Sequence, residues 1–281
     1  MPRPPLRPAR PPRWRLASAG LALSLALGLA LSLATGLRAS TPLRPAPHPG
    51  LAQLPAQMLW AWERPEDLRG LPPGTGVAWL AASIRLRGQA ADIRPRAQPL
   101  RVSPGTVLLP VLHVDADPRD RPALDPAQRE AIVVTALRLV QGQPVHALQL
   151  DFEVRRSQRP FLAEVVRALR ARLPAEVALS MTALASWCAG DAWMDSLPAD
   201  EIVPMAFRMD RDDIALRALL AREGHFPRPY CQQAAGTATD EAPVTGLQAP
   251  RRYHFAPQPW TRDQWTALLN TSNTPSPAAA R

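Results

Sequence analysis

Lysine is absent from the 281 residues, and all 33 basic side chains are arginine. Excluding one of the two basic residue types reads as coding bias rather than demand for a basic surface. Acidic residues are missing from positions 1–44, which hold seven arginines, at 3, 7, 10, 13, 15, 38 and 44. These carry most of the formal charge of +9 and leave 26 arginines against 24 acids in the rest of the chain. So balanced a body lacks the electrostatic footprint of a nucleic-acid binder. Cysteine is limited to Cys188 and Cys231, and neither these nor the five histidines form a C-x-x-C or H-x-x-x-H pattern, so no metal or other cofactor is expected. G-x-G-x-x-G and Walker loops are missing, which argues against a nucleotide fold. No histidine is positioned to activate a serine nucleophile.

What is present begins with a long apolar run. "LASAGLALSLALGLALSLATGL", Leu16 to Leu37, carries no charge and follows the arginine-rich "RPARPPRWR". Basic, apolar and then small residues is the order of an export signal, with Ala34 and Gly36 at the −3 and −1 positions of a cleavage site. The run also reaches the roughly 20 residues that span a bilayer core, so residues 1–37 read as a signal peptide or a signal anchor. In either case the arginines stay cytoplasmic. The body is then periplasmic, extracellular or tethered to the inner membrane. Residues 38–56 are proline-rich and read as a linker, 57–270 as the folded domain, and 271–281 as a disordered tail. Export permits a disulfide between Cys188 and Cys231, with two unpaired thiols as the alternative.

Within the domain, strands are expected at 58–63, 76–86, 105–117, 145–154, 176–187 and 200–209, and weaker ones at 230–239 and 251–258. Asp125, Pro126 and Gln128 open a helix as cap, first residue and capping-box partner. A second helix starts near Arg159 and ends at Pro174; a third follows Asp210 and stops at Gly224; a fourth covers 261–269. This alternation argues for a parallel sheet. Eight strands in this length fit a compact α/β fold, the (β/α)₈ TIM-barrel type, with some helices short or missing. A doubly wound open sheet is the alternative.

The segment "VHALQLDFEV", Val145 to Val154, ends in two carboxylates two residues apart. Strand alternation puts Leu148, Leu150, Phe152 and Val154 on one face and Gln149, Asp151 and Glu153 on the other. In a barrel the apolar face packs under the helices. The acids then point inward at the strand's C-terminal end, where barrel active sites sit. The third strand repeats the pattern with His113, Asp115 and Asp117, although His113 reads more readily as a hydrogen-bonded core residue than as a catalyst. Residues i and i+2 on a strand lie about 6.5–7 Å apart at Cα. Carboxylates that close raise one pKa, which suits a general acid of the kind glycoside hydrolysis uses.

"LQLDFEV" resembles the fourth-strand signature of chitinase-type glycoside hydrolase barrels, a run of alternating acids ending in Asp-x-Glu. The resemblance implies that Glu153 is the general acid and that Asp151 orients a substrate acetamido group. Gln149 and His146 stand where earlier acids of that signature fall. "VPMAFRM" is similar to that family's sixth-strand Met-x-Tyr-Asp, with Met205 kept, Phe207 for Tyr and Arg208 for Asp. A broader likeness joins "LQLDFEVRRSQRPFLAEVVRALRARLP", "LSMTALASWC", "DEIVPMAFRM" and "YHFAPQPW". Together these resemble the bacterial domain-of-unknown-function family 3142. It implies an exported, barrel-like domain and no established reaction.

Trp60, Trp62, Trp79, Trp187 and Trp260 fall at or near strand ends, where indole faces can stack on sugars; Trp187 is the foremost platform candidate and Trp79 reads as core. Arg208 reads as a partner of Asp151 or Glu153, or as a substrate contact. Ser180, Thr182 and Ser186 share a face that can line the interior. The expected site thus combines Glu153 and Asp151 as catalytic residues with Gln149, Asp115, Trp187, Met205, Phe207, Arg208 and Trp260 as substrate contacts. The expected function is glycosidase-like hydrolysis of an envelope or extracellular glycan. The alternative is a barrel that binds glycan or an envelope partner without chemistry, and a purely structural carboxylate cluster is a third reading. The expected partners are a carbohydrate ligand and, through an uncleaved N-terminal segment, the membrane, with no nucleic acid.

Overall fold

A computed structural model describes residues 47–272. In chain order the strands are β1 (Gln57–Ala61), β2 (Glu66–Leu68), β3 (Thr75–Arg87), β4 (Ala90–Pro95), β5 (Leu100–Val102), β6 (Leu108–Ala116), β7 (Ala147–Asp151), β8 (Ala178–Leu184), β9 (Glu201–Met205), β10 (Ala234–Ala238) and β11 (Arg251–Phe255). The helices are α1 (Pro49–Ala52), α2 (Pro126–Val140), α3 (Arg159–Arg172), α4 (Ala185–Ala189), α5 (Asp213–Glu223) and α6 (Arg262–Ser272). Strands β1, β3 and β6 to β11 are parallel neighbours, and β1 pairs with both β3 and β11. That double pairing closes the sheet into an eight-stranded barrel and excludes the open-sheet alternative. Helices follow β6, β7, β8, β9 and β11, while β1, β3 and β10 lead into loops or small strands. β4 adds an antiparallel edge to β3, and β2 and β5 form a separate parallel pair.

Local chemistry explains the element boundaries. Asp125 accepts the Gln128 N–H (2.8 Å) and Pro126 is the first residue of α2. Gln128 departs from the expected capping box: its Oε1 takes the Leu124 N–H, and its Nε2 donates to Gly88 O and Ala90 O. It therefore ties α2 to the β3–β4 hairpin. Gly224, at φ 77°, ends α5 in the left-handed conformation that glycine tolerates best. Asp210 is not the cap of α5. It lies in a short 3₁₀ turn at φ 47°, and the helix begins at Asp213.

Two apolar layers follow from strand alternation. Outside the sheet, Leu148, Leu150, Phe152 and Val154 pack with Ile132 and Val133 of α2 and Leu162, Val165, Val166 and Leu169 of α3. Inside the barrel, Met58, Trp60, Leu109, Val111, Val203, Met205 and Tyr253 form a second cluster. The phase expected for β7 is the phase observed.

The expected linker is corrected at its C-terminal part. Residues 47–56 include α1, and Leu51 and Leu54 are buried in the interior cluster. Proline density suggested an extended tether, but proline at a helix start costs no hydrogen bond. Gly50 packs so closely that a Cβ there would overlap the carbonyls of His146 and Glu176. The His48 ring spans this joint, with Nδ1 accepting the Gly50 N–H and Nε2 bonding Ala175 O (2.8 Å). α1 thus plugs the end of the barrel at which β7 and β8 begin. The signal or anchor expected at 1–37, the linker's first part and the tail beyond 272 lie outside the described residues. Among the described residues no helix is long and apolar enough to cross a membrane. Cys188 in α4 and Cys231 before β10 form a disulfide, with Cα atoms 5.9 Å apart.

Candidate functional site

The C-terminal ends of the strands enclose a cavity of about 150 Å³ lined by Trp60, Trp62, His113, Asp151, Glu153, Thr182, Met205, Phe207, Arg208 and Phe255. Strand register assembles its polar wall. His113 is the direct partner of Asp151 across β6 and β7. Leu150 pairs with Met181, so one further residue brings Thr182 beside Asp151. The Asp151 carboxylate is held on both oxygens: Thr182 Oγ1 donates to Oδ1 (2.6 Å) and His113 Nδ1 to Oδ2 (2.8 Å). His113 Nε2 reaches Asp115 Oδ2 at 3.3 Å. Burial disfavours the imidazolium, but the hydrogen bonds and charges of Asp115 and Asp151 outweigh it and carry the His113 pKa up to about 10. The same His113 bond holds the Asp115 carboxyl below its ordinary range against partial desolvation.

Glu153 follows the end of β7 and differs in kind. It lines the cavity, yet its carboxylate makes no hydrogen bond or ion pair to a described residue. Desolvation on the cavity side, and then the charge of Asp151, push its pKa up. The side chain remains exposed, so water limits the size of that shift.

Opposite the acids lies an aromatic wall. The Phe207 and Phe255 rings stack with centroids 5.7 Å apart. Trp62 meets His113 edge to face at 5.2 Å and Phe255 at 6.1 Å. Trp60 stacks on Tyr253 at 5.3 Å and approaches Gly236, where a Cβ would sit 2.8 Å from the indole. Glycine in β10 therefore leaves the space that the Trp60 ring fills.

Beneath the cavity runs a buried polar chain. Trp60 Nε1 donates to Gln149 Oε1 (2.8 Å), Gln149 Nε2 to Ser180 Oγ (3.1 Å), and Ser180 Oγ to Glu201 Oε2 (2.7 Å). Tyr253 also donates to Glu201 Oε2 (2.8 Å), and Arg251 pairs with Oε1. Arg251 continues to the Leu51 and Pro55 carbonyls of the floor. Burial, then the Glu201 charge, pushes the Tyr253 phenol well up, so it stays a donor.

The structure gathers Glu153, Asp151, Met205, Phe207 and Arg208 around one cavity and separates the other expected contacts from it. Gln149 lies below, positioning Trp60. Asp115 is engaged by His113 outside the lining. Trp187 is buried against Trp193 (5.1 Å) and under the Arg159 guanidinium. It belongs to α4 because β8 ends at Leu184, so the strand expected to 187 is too long. Trp260 is buried and donates to Trp60 O (2.9 Å). Arg208 does not neutralise Asp151 or Glu153. It pairs with Asp240 at 3.5 Å and lies over Phe255. Sequence reasoning missed Phe255 and undervalued His113, whose signal was its shared phase with Asp115 at a strand end. Among the described residues no group of three or more His, Cys, Asp or Glu is placed to hold a metal ion. Comparison with protein-family models and with curated proteins found no match.

Proposed function

We propose that this barrel hydrolyses a glycosidic bond in a cell-envelope or extracellular glycan, with Glu153 as general acid and Asp151 as its charged partner. The observation that carries this reading is the different treatment of the two carboxylates: Asp151 accepts two short hydrogen bonds, while Glu153 beside it accepts none from the described residues and has a raised pKa. Adjacent acids held in such different surroundings take separate acid and charge-stabilising roles. One sugar ring suits a cavity of this size, below the usual ligand-pocket range of roughly 300–1,000 Å³. Trp60, Trp62, Phe207 and Phe255 offer it apolar surface.

In the reaction Glu153 gives its proton to the glycosidic oxygen as the C–O bond breaks. Asp151 stabilises the positive charge that grows at the anomeric carbon. Water bonds to that carbon and its proton returns to Glu153. Both Asp151 oxygens are already engaged, so it acts through charge rather than as a nucleophile. Phe207 and Arg208 stand where the chitinase-type resemblance would place Tyr and Asp. The wall therefore offers no tyrosine hydroxyl to a substrate acetamido group, and attack by water is the route these residues support. The export segment expected at 1–37 makes an envelope or extracellular glycan the accessible substrate.

The test is product release from envelope glycans and chitin-type oligosaccharides by the full chain and by Glu153→Gln. We expect release from the parent to fall by roughly 10²–10⁴-fold in the variant, the range for loss of a general acid. Equal release from both proteins would remove Glu153 from the mechanism. A second reading, glycan binding without chemistry, draws on the Phe207–Phe255 wall, which presents no polar side-chain atom. Binding that survives Glu153→Gln, with no release from either protein, would favour it.

A further inference from the structure

Arg208 is a cavity residue that the proposed chemistry does not use. It lines both the 150 Å³ cavity and an adjoining groove of about 410 Å³ that continues along Ala185, Ser186 and Asp210 to Asp212. Its backbone sits at φ 50°, a left-handed conformation that is strained for a non-glycine residue. The Glu241 carboxylate holds it there by accepting the Arg208 N–H (2.8 Å), and Arg217 in turn anchors Glu241 (3.0 Å). The loop after β9 is thus latched to the loop after β10 with an arginine at the junction of cavity and groove. Its guanidinium lies over the face of Phe255, 4.8 Å from the ring centroid.

The charge of that guanidinium is weakly committed. Its ion pair to Asp240 is 3.5 Å long and the Arg208 side chain is 53% exposed. A long, exposed pair of that kind contributes little to stability. Of the other titratable groups lining the cavity, His113 and Asp151 bond each other, and desolvation pushes the Glu153 pKa up. Among the described residues, no carboxylate that lines the cavity pairs with Arg208.

We propose that Arg208 is a specificity-determining residue that selects glycans bearing an anionic substituent, carboxylate or sulfate, on the sugar next to the one held in the cavity. The inference rests on the glycan reading above and names its substrate class. Phe255 presents the planar guanidinium, whose fork of donors matches a carboxylate or sulfate oxygen pair.

The test measures binding, so that it stands apart from hydrolysis. The full chain carrying Glu153→Gln is titrated with a neutral chitin-type tetrasaccharide, with its counterpart bearing lactyl carboxylates on alternate sugars, and with a sulfated counterpart. At least one acidic form is expected to bind roughly tenfold tighter than the neutral one, as one charge-assisted contact would give, and the two acidic arms tell carboxylate from sulfate. Adding Arg208→Gly abolishes the preference. Glycine accepts the left-handed backbone, so an unchanged melting curve separates lost charge from lost fold. Asp240→Asn, which frees the guanidinium, increases the preference. Equal binding of neutral and acidic forms, a preference that survives Arg208→Gly, or binding of none of the three overturns the proposal. Acid-selective binding by a parent that releases no product would sink hydrolysis and leave Arg208 standing. Hydrolysis without selectivity would do the reverse.

Discussion

Two carboxylate clusters share the inside of this barrel, one around Glu201 near the floor and one around Asp151 and Glu153 at the rim. The Glu201 side chain is fully buried, and Arg251, Ser180 and Tyr253 satisfy it. The donors from Trp60 down to Ser180 all point toward it. A buried charge is tolerable only when it is paired and bonded in this way. At the rim the pairing stops halfway, because Asp151 has its partners and Glu153 has none among the described residues. The same residue type is thus structural in one place and available for chemistry in the other. The difference lies in how many donors the neighbouring strands supply.

The comparison breaks most visibly at Arg251. Arg251→Met leaves Glu201 buried without its counter-ion and frees the floor carbonyls. We expect stability to fall by roughly 3–5 kcal/mol in chemical denaturation, the cost of stranding one member of a buried pair. A loss below about 1 kcal/mol would mean that the floor cluster is as loosely held as the rim. A smaller effect is expected at Gly50, where Ala would press on the His146 and Glu176 carbonyls. Overpacking of this kind costs about 1–3 kcal/mol, and the loss should appear in the same denaturation assay without altering ligand binding at the opposite end of the barrel.

Most of the barrel was legible because its strands carry strong periodic signals. β7 announces its inner and outer faces by alternation, and α2 announces its start through Asp125 and Pro126. The hairpin strand β4 was not legible, since it is a short, largely exposed edge strand whose apolar residues Ala91 and Ile93 bury little. The floor helix was hidden by a proline-rich composition that local reading assigns to tethers. Within the site, the phase of β7 located Asp151 and Glu153. Their partners required inter-strand register, which links His113 to Asp151 across 38 residues of sequence and leaves no local trace. Arg208 lines the cavity as expected, but its pairing was not legible, for a different reason. β9 ends at Met205 and the backbone turns left-handed at 208, so alternation no longer predicts where the side chain goes.

Titration separates the clusters further. The folded pKa of His113, about 10, lies above its ordinary 6.5. The native state therefore keeps a proton that the unfolded chain releases, and the resulting stability is complete below about 6.5 and lost as pH rises toward 10. His254 has the opposite sign. It lies on the outer face of β11 against Thr237 and Gln57, and burial, then the Arg252 charge, pushes it down to about 4. Its contribution is present above about 6.5 and lost as pH falls toward 4. Stability from these two groups should therefore peak near pH 6.5. In denaturation across pH, His113→Gln should flatten the alkaline limb and His254→Gln the acid one. If His113→Gln leaves the alkaline limb unchanged, the pairing with Asp151 is not held in solution.

The smallest expected effect is the most diagnostic. Glu153→Gln removes a carboxylate whose pKa is raised, so its ionised form works against folding at neutral pH. A raised carboxyl pKa penalises the native state above the unfolded value and not below it. Replacing it with a neutral isostere should leave stability at pH 7 unchanged or slightly higher, with any gain vanishing below the ordinary glutamate range. Water screening of an exposed group keeps the gain small. Glu201→Gln, by contrast, leaves Arg251 without its counter-charge and should destabilise at the same pH. Measuring both variants side by side tests whether Glu153 is held at a cost to the fold, the pattern expected of a residue kept for chemistry. A clear stability loss in Glu153→Gln would place it with Glu201 among the structural acids.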